Sequence, residues 1–149
     1  MTTILQPDFQ TSQLSMDIKK LRALTVDDDP ATLRLLGRAL MKSGITNITS
    51  ASDGLEAHTI VTQKKQSFDV VVCDWMMPNM DGLSFLQLFR LKHPTTPFVM
   101  LTSKTNAEDF HLAKEMGVDF FFMKPLTADD LSIRLKSVLQ LMLQEPEVA

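Results

Sequence analysis

The 149-residue chain has one cysteine, Cys73, one tryptophan and no tyrosine. A lone cysteine excludes an intrachain disulfide framework and any zinc or iron–sulfur centre built on several thiolates. Basic charge is not in excess: fifteen Lys and Arg stand against eighteen Asp and Glu, a formal net charge of −3. Affinity for nucleic acid rests largely on neutralising phosphates, so this balance argues against a general nucleic-acid binder. No apolar run approaches the roughly 18 residues that cross a bilayer. The opening MTTILQPDFQ lacks the basic start and apolar stretch of a secretory signal. What is present suits a single domain: domains run to about 100–150 residues, and 44% hydrophobic content is enough for one core without staples. The expectation is one cytoplasmic globular domain with no membrane or nucleic-acid partner.

Residues 1–19 are polar, with Pro7 and scattered apolar side chains, and read as an extension, flexible or a short helix. From Lys20 onward short apolar runs alternate with helix-length amphipathic stretches. The runs are 21–26, 47–51, 69–73, 98–101 and 120–123. Four are almost continuously apolar, as expected of parallel strands covered on both faces. Run 47–51 has only Ile48 and Ala51, which suggests an edge strand. Helix signals fall between the runs. Asp29-Pro30 offers a cap and an N1 proline, followed by Leu33, Leu36 and Leu40, with Gly44 as the stop. A second helix follows Asp53-Gly54, a third spans Gly82 to about Lys92, and a fourth spans about 106–116, ending at Gly117. Thr127 and Asp130 start a fifth in the manner of a capping box. Five βα units imply an α/β domain with a parallel sheet, whose functional crevice lies beyond the carboxyl ends of the strands. The domain is expected over 20–144, with a tail over 145–149.

The residues at those strand ends are Asp27-Asp28-Asp29, Asp74, Thr102-Ser103 and Lys124-Pro125. Taken singly they are unremarkable: a cap, a turn aspartate, a strand-end hydroxyl and a solvated lysine. Together they crowd carboxylates that repel one another unless a cation binds among them. Carboxylates with a carbonyl and waters suit Mg²⁺, which prefers octahedral oxygen coordination. A lysine and a hydroxyl opposite complement an incoming phosphoryl group, which makes phosphoryl transfer to a carboxylate the indicated chemistry.

The segments LTVDDDP, DVVVCDWMMPNMDG, VMLTS and FFFMKP resemble the four signatures of the bacterial two-component response-regulator receiver family, in stand-alone CheY-like form. The similarity spans about 20–143, and it implies a doubly wound, flavodoxin-like (βα)5 sheet of order 2-1-3-4-5. It also implies roles. Asp74 would be the phosphoacceptor, Asp28 a direct Mg²⁺ ligand and Asp27 a ligand through water. Met76 would offer its backbone carbonyl to the metal, and Mn²⁺ is an alternative ion. Thr102 would bond a phosphoryl oxygen, and Lys124 would contact Asp74 before transfer and the phosphoryl group after it. The Lys124–Pro125 peptide would be cis. Phe121, three residues before the lysine, would be the aromatic switch partner of Thr102. The family often has tyrosine there, so in this chain burial without a hydroxyl would drive the switch. Met76 and Lys104 occupy positions expected to tune the lifetime of the phosphorylated state.

The implied donor is a histidine kinase or a histidine phosphotransfer protein, and the chain is a phosphoacceptor switch rather than an enzyme. Its fifth helix is apolar beyond one core stripe, with Leu131, Leu135, Val138 and Met142 on one face and Ile133, Leu139, Leu141 and Leu143 widening it. The resemblance to receivers implies that the face of the fourth helix, fifth strand and fifth helix meets a downstream protein or a second copy. No output domain follows helix five, so output is expected through protein contact. A haloacid-dehalogenase-like phosphatase is the alternative, but its Asp-x-Asp-x-Thr/Val motif meets Ala31 at the last place. A flavodoxin-like electron carrier would face repulsion between the flavin phosphate and Asp27-Asp28-Asp29. His58, His93 and His111 are expected at the surface, and Cys73 in the core.

Overall fold

The computed structural model describes residues 17–144. The strands are β1 (Arg22–Val26), β2 (Asn47–Ala51), β3 (Val70–Asp74), β4 (Phe98–Thr102) and β5 (Phe120–Met123). Between and after them lie α1 (Pro30–Ser43), α2 (Gly54–Thr62), α3 (Gly82–Arg90), α4 (Ala107–Met116) and α5 (Ala128–Leu143). All strand pairs are parallel, and the sheet order is β2-β1-β3-β4-β5, the expected doubly wound arrangement.

The period-2 alternation of the central strands divides the core between the two faces. Leu24, Val26, Val71, Cys73, Phe98 and Met100 point to the side covered by α2 and α3, where they meet Ala57, Ile60, Phe85, Leu86 and Phe89. Ala23, Val70, Val72, Val99 and Leu101 point to the opposite side, against Leu36, Leu40, Leu131, Leu135 and Leu139 of α1 and α5. β2 is an edge, as its sparse apolar content suggested. β5 is the other edge, and there the expectation of two covered faces fails: Phe120 and Phe121 are half-buried and Met123 is exposed. A short apolar run alone does not distinguish an edge strand from a covered one.

The helix ends follow their signals. Asp29 Oδ1 accepts the Ala31 N–H at 3.0 Å with Pro30 at the first helical position, and Thr127 Oγ1 accepts the Asp130 N–H at 3.2 Å. In α5, Leu139 joins the buried stripe and Met142 is only half-buried, while Ile133 and Leu141 face solvent. α3 stops at Arg90, two residues short of expectation, and Arg90 acts as a staple. Its guanidinium donates to the carbonyls of His93, Thr96 and Gly117 and pairs with Asp119, tying the 93–97 loop to the α4–β5 turn. His93 is not a surface residue: it is half-buried and stacks on Phe89 at 4.7 Å between ring centroids. His58 is also half-buried, while His111 is exposed beside Glu115. Of the extension expected over 1–19, residues 17–19 are described and are helical, with Ile18 only 3% exposed against Gly44. Residues 1–16 and the tail 145–149 lie outside the described residues. No described helix is long and apolar enough to cross a membrane.

Register decides what the strand ends bring together. Val26 pairs with Cys73, Asp74 with Leu101, and Thr102 with Met123. Asp27, Asp74, Thr102 and Lys124 therefore fall side by side at one end of the sheet. Gly82 closes the β3–α3 loop back onto β3: its N–H donates to the Trp75 carbonyl at 2.8 Å, and a Cβ there would overlap the Asp74 carbonyl oxygen. Gly82→Ala should therefore lower stability by about 1–3 kcal/mol, the usual cost of overpacking, in urea unfolding of the two proteins. An unchanged midpoint would mean that the loop does not hold this close approach.

Candidate functional site

The crevice is built around carboxylates taken out of water. Asp27 is 0% exposed and Asp74 6%, whereas the neighbouring Asp28 is exposed. Ligand oxygens of the three lie within 4.8 Å of one another. Asp27 Oδ1 accepts the Asp29 N–H at 2.8 Å, which orients its other oxygen toward Lys124. The Lys124 ammonium sits 3.0 Å from Asp74 Oδ1 and 3.3 Å from Asp27 Oδ2. It follows a strand that ends beside Thr102, and the Lys124–Pro125 peptide bond is cis.

Burial pushes the carboxyl pKa values of both Asp27 and Asp74 above the ordinary 3.8. For Asp27 the Asp29 N–H bond pulls the other way, and the Asp74 charge adds to the rise. For Asp74 the hydrogen bond and charge of Lys124 offset part of the rise, and the Asp28 charge adds to it. Lys124 is itself desolvated, which works against its charge, but its bond to Asp74 and the two acidic neighbours win and raise its pKa. With all three aspartates ionised, one lysine leaves two negative charges without a cation. An all-oxygen donor set with excess negative charge fits a hard divalent ion such as Mg²⁺ or Mn²⁺.

Thr102, 1% exposed, stands on the far side of Asp74, where its Oγ1 accepts the N–H of Lys104 at 2.9 Å. Met76 is 62% exposed at the rim. Phe121 lies on β5 with its ring meeting Phe110 of α4 edge-on at 5.0 Å. Lys104 does not lie free over the crevice: its ammonium is 3.4 Å from Asp109 Oδ2 and 5.0 Å from the centroid of the Trp75 ring. Trp75, Asp109 and Phe110 were not singled out by sequence. Trp75 directly follows Asp74, and that adjacency was the only signal for it. Beside Lys124, a cleft of about 410 Å³ is lined by Asp29, Thr32, Leu35, Ser103, Pro125 and Leu126. Behind the loop, Asp53 caps α2 and accepts a bond from Asn79 Nδ2 at 2.7 Å, gripping the segment that follows Asp74.

Residues 23–136 match the family described as the response regulator receiver domain. The chain belongs to the response-regulator receiver family. It is 35% identical to chemotaxis protein CheY-3 of Vibrio cholerae, over 82% of this chain and 94% of that protein. It is 34% identical to transcription factor SKN7 of Chaetomium thermophilum over 96% of its own length, but this spans only 18% of that protein. Among solved structures, the receiver domain of the Francisella response regulator 1452 superposes with a TM-score of 0.71 at 30% identity, covering 84% of this chain and all of that one. Receiver domains are phosphoacceptor switches of two-component signalling, and nothing in these matches supports a dehalogenase-like phosphatase.

The pKa directions carry a sign for stability. A carboxyl whose folded pKa exceeds its unfolded value costs stability once ionised, so stability falls as pH rises through the folded value. Asp74→Asn should therefore raise Tm at neutral pH without divalent ions, by about 2–5 °C for a domain of this size. The gain should shrink as pH falls toward the ordinary carboxylate range. A lower Tm for the variant in scanning calorimetry would show that the bond to Lys124 outweighs burial.

Proposed function

We propose that this receiver takes a phosphoryl group on Asp74 in a Mg²⁺-dependent reaction and signals by protein–protein binding. The observation that carries this reading is the Lys124 ammonium 3.0 Å from Asp74 Oδ1, beside the buried Asp27, the exposed Asp28 and a buried threonine. A lysine so placed steadies the carboxylate as nucleophile and then faces the new phosphoryl oxygens.

Asp28 would hold the ion directly and Asp27 through a water, with Asp74 and the Met76 backbone carbonyl completing the protein ligands. Bound there, Mg²⁺, or Mn²⁺ in its place, supplies charge neutralisation for a phosphoryl group arriving at an acidic site. A carboxylate oxygen of Asp74 attacks the phosphorus of a phosphohistidine, the P–N bond breaks, and the imidazole leaves with its electron pair and takes up a proton. Thr102 then moves toward the phosphoryl group and donates its hydroxyl proton to a phosphoryl oxygen, with Oγ1 still the acceptor of the Lys104 N–H. Phe121 follows into the space that Thr102 leaves, driven by burial alone. Met76 offers hydrolytic water no hydrogen bond, and with Lys104 it would set how long the phosphoryl group persists.

The donor in this reading is a histidine kinase or a histidine phosphotransfer protein in the cytoplasm, reaching Asp74 beside the cleft of Leu35, Pro125 and Leu126. The unit that switches is the 20–144 domain, onto which residues 17–19 pack through Ile18. Its downstream face is α4-β5-α5, where Phe120, Met123, Leu112 and Ile133 are half-buried or exposed. That face also suits a homodimer.

Incubation with Mg²⁺ and acetyl phosphate, or with a phosphorylated histidine kinase, should add one phosphoryl group per chain by intact mass. Asp74→Ala should take up none, and chelation of the metal should abolish transfer to the unmodified protein. Undiminished uptake by Asp74→Ala would overturn the assignment.

A further inference from the structure

Lys104 is held by three contacts, one to the Thr102 hydroxyl and two to residues outside the phosphoryl-binding set. Its backbone N–H donates to Thr102 Oγ1 at 2.9 Å, its ammonium is 3.4 Å from Asp109 Oδ2, and the same ammonium lies 5.0 Å from the centroid of the Trp75 ring. These contacts join three separate pieces: the end of β4, the first turn of α4 and the residue directly after Asp74. Asp109 adjoins Phe110, whose ring packs edge-on against Phe121. Both charged side chains are about one-third exposed, so the pair is screened less than a free surface pair.

We infer that Asp109 is a positioning residue: with Trp75 it latches Lys104 in the unphosphorylated state and thereby holds the β4–α4 loop and the Thr102 hydroxyl away from the phosphoryl position. The inference rests on the receiver reading. Thr102 can donate its O–H to a phosphoryl oxygen while Oγ1 still accepts the Lys104 N–H, so as the hydroxyl moves toward the phosphoryl group it draws Lys104 and the loop with it. In this inference that movement takes the Lys104 backbone from the position in which its ammonium reaches both Asp109 and the indole. The latch therefore opposes activation, and the arriving anion, which adds about −1.5 to −2 charges, competes with Asp109 for the same cation.

Trp75 is the only tryptophan, so its emission reports the latch directly. The test is a beryllofluoride titration of the full chain in saturating Mg²⁺, followed by tryptophan fluorescence. Wild type should show a saturable change. Asp109→Asn should lower the half-saturating concentration about 2- to 5-fold, the scale of one partly exposed ion pair. Asp109→Glu should restore the wild-type value. In a Lys104→Met background, Asp109→Asn should have no further effect. A merely structural Asp109 would change Tm and leave the titration midpoint where it was. A responsive wild type with an unchanged Asp109→Asn midpoint, or an equal effect in the Lys104→Met background, overturns the latch alone. A wild type blind to beryllofluoride overturns the receiver reading and the latch with it.

Discussion

The Lys124 ammonium between Asp27 and Asp74 is the interaction on which the rest of the site depends. It is the cation in direct contact with two carboxylates that the fold has almost entirely removed from water. Buried ion pairs of this kind are poor sources of stability, because desolvation consumes most of the Coulombic gain. The pKa directions say the same, since both carboxyls rise despite the lysine. The arrangement makes sense as stored electrostatic imbalance: an acidic pocket short of positive charge, with a lysine already aimed at the reacting oxygen. In the proposed reaction a divalent cation would relieve the first feature, and phosphoryl transfer would use the second.

The scaffold delivers that imbalance through register rather than through any unusual local structure. Parallel pairing places Val26 beside Cys73 and Thr102 beside Met123, so the four strand ends converge whatever the loops do. The loops then refine the position. Gly82 folds the chain back against the Asp74 carbonyl, and the Asp53–Asn79 bond grips the segment between them. At the opposite end of the sheet, Arg90 gathers three carbonyls and Asp119, tying the 93–97 loop to the α4–β5 turn.

Most of this was legible in the sequence because its determinants are local. Caps such as Asp29 and Thr127 act on neighbours two or three residues away, and the strand-end aspartates, threonine and lysine follow apolar runs directly. What the sequence concealed depends on contacts between distant segments. Run 120–123 is as apolar as a covered strand, yet β5 is an edge, and Phe121 finds Phe110 across α4. His93 looked like a surface residue because nothing nearby announces the Phe89 ring beneath it. Lys104 was legible as a cation near the site, but its partners were not. One lies in the next helix and the other on β3's end, and only the folded chain brings them to the same ammonium.

A receiver differs from an enzyme with the same fold by keeping what it captures. In the proposed reaction the captured group rests as an acyl phosphate on one particular carboxylate among three crowded together. Borohydride reduces an acyl phosphate of aspartate to homoserine, so peptide mapping after phosphorylation and reduction locates it directly. The account predicts homoserine at position 74, with Asp27 and Asp28 intact. Homoserine at position 27 or 28, or a phosphoryl group recovered on any other side chain with Asp74 unreduced, would contradict it.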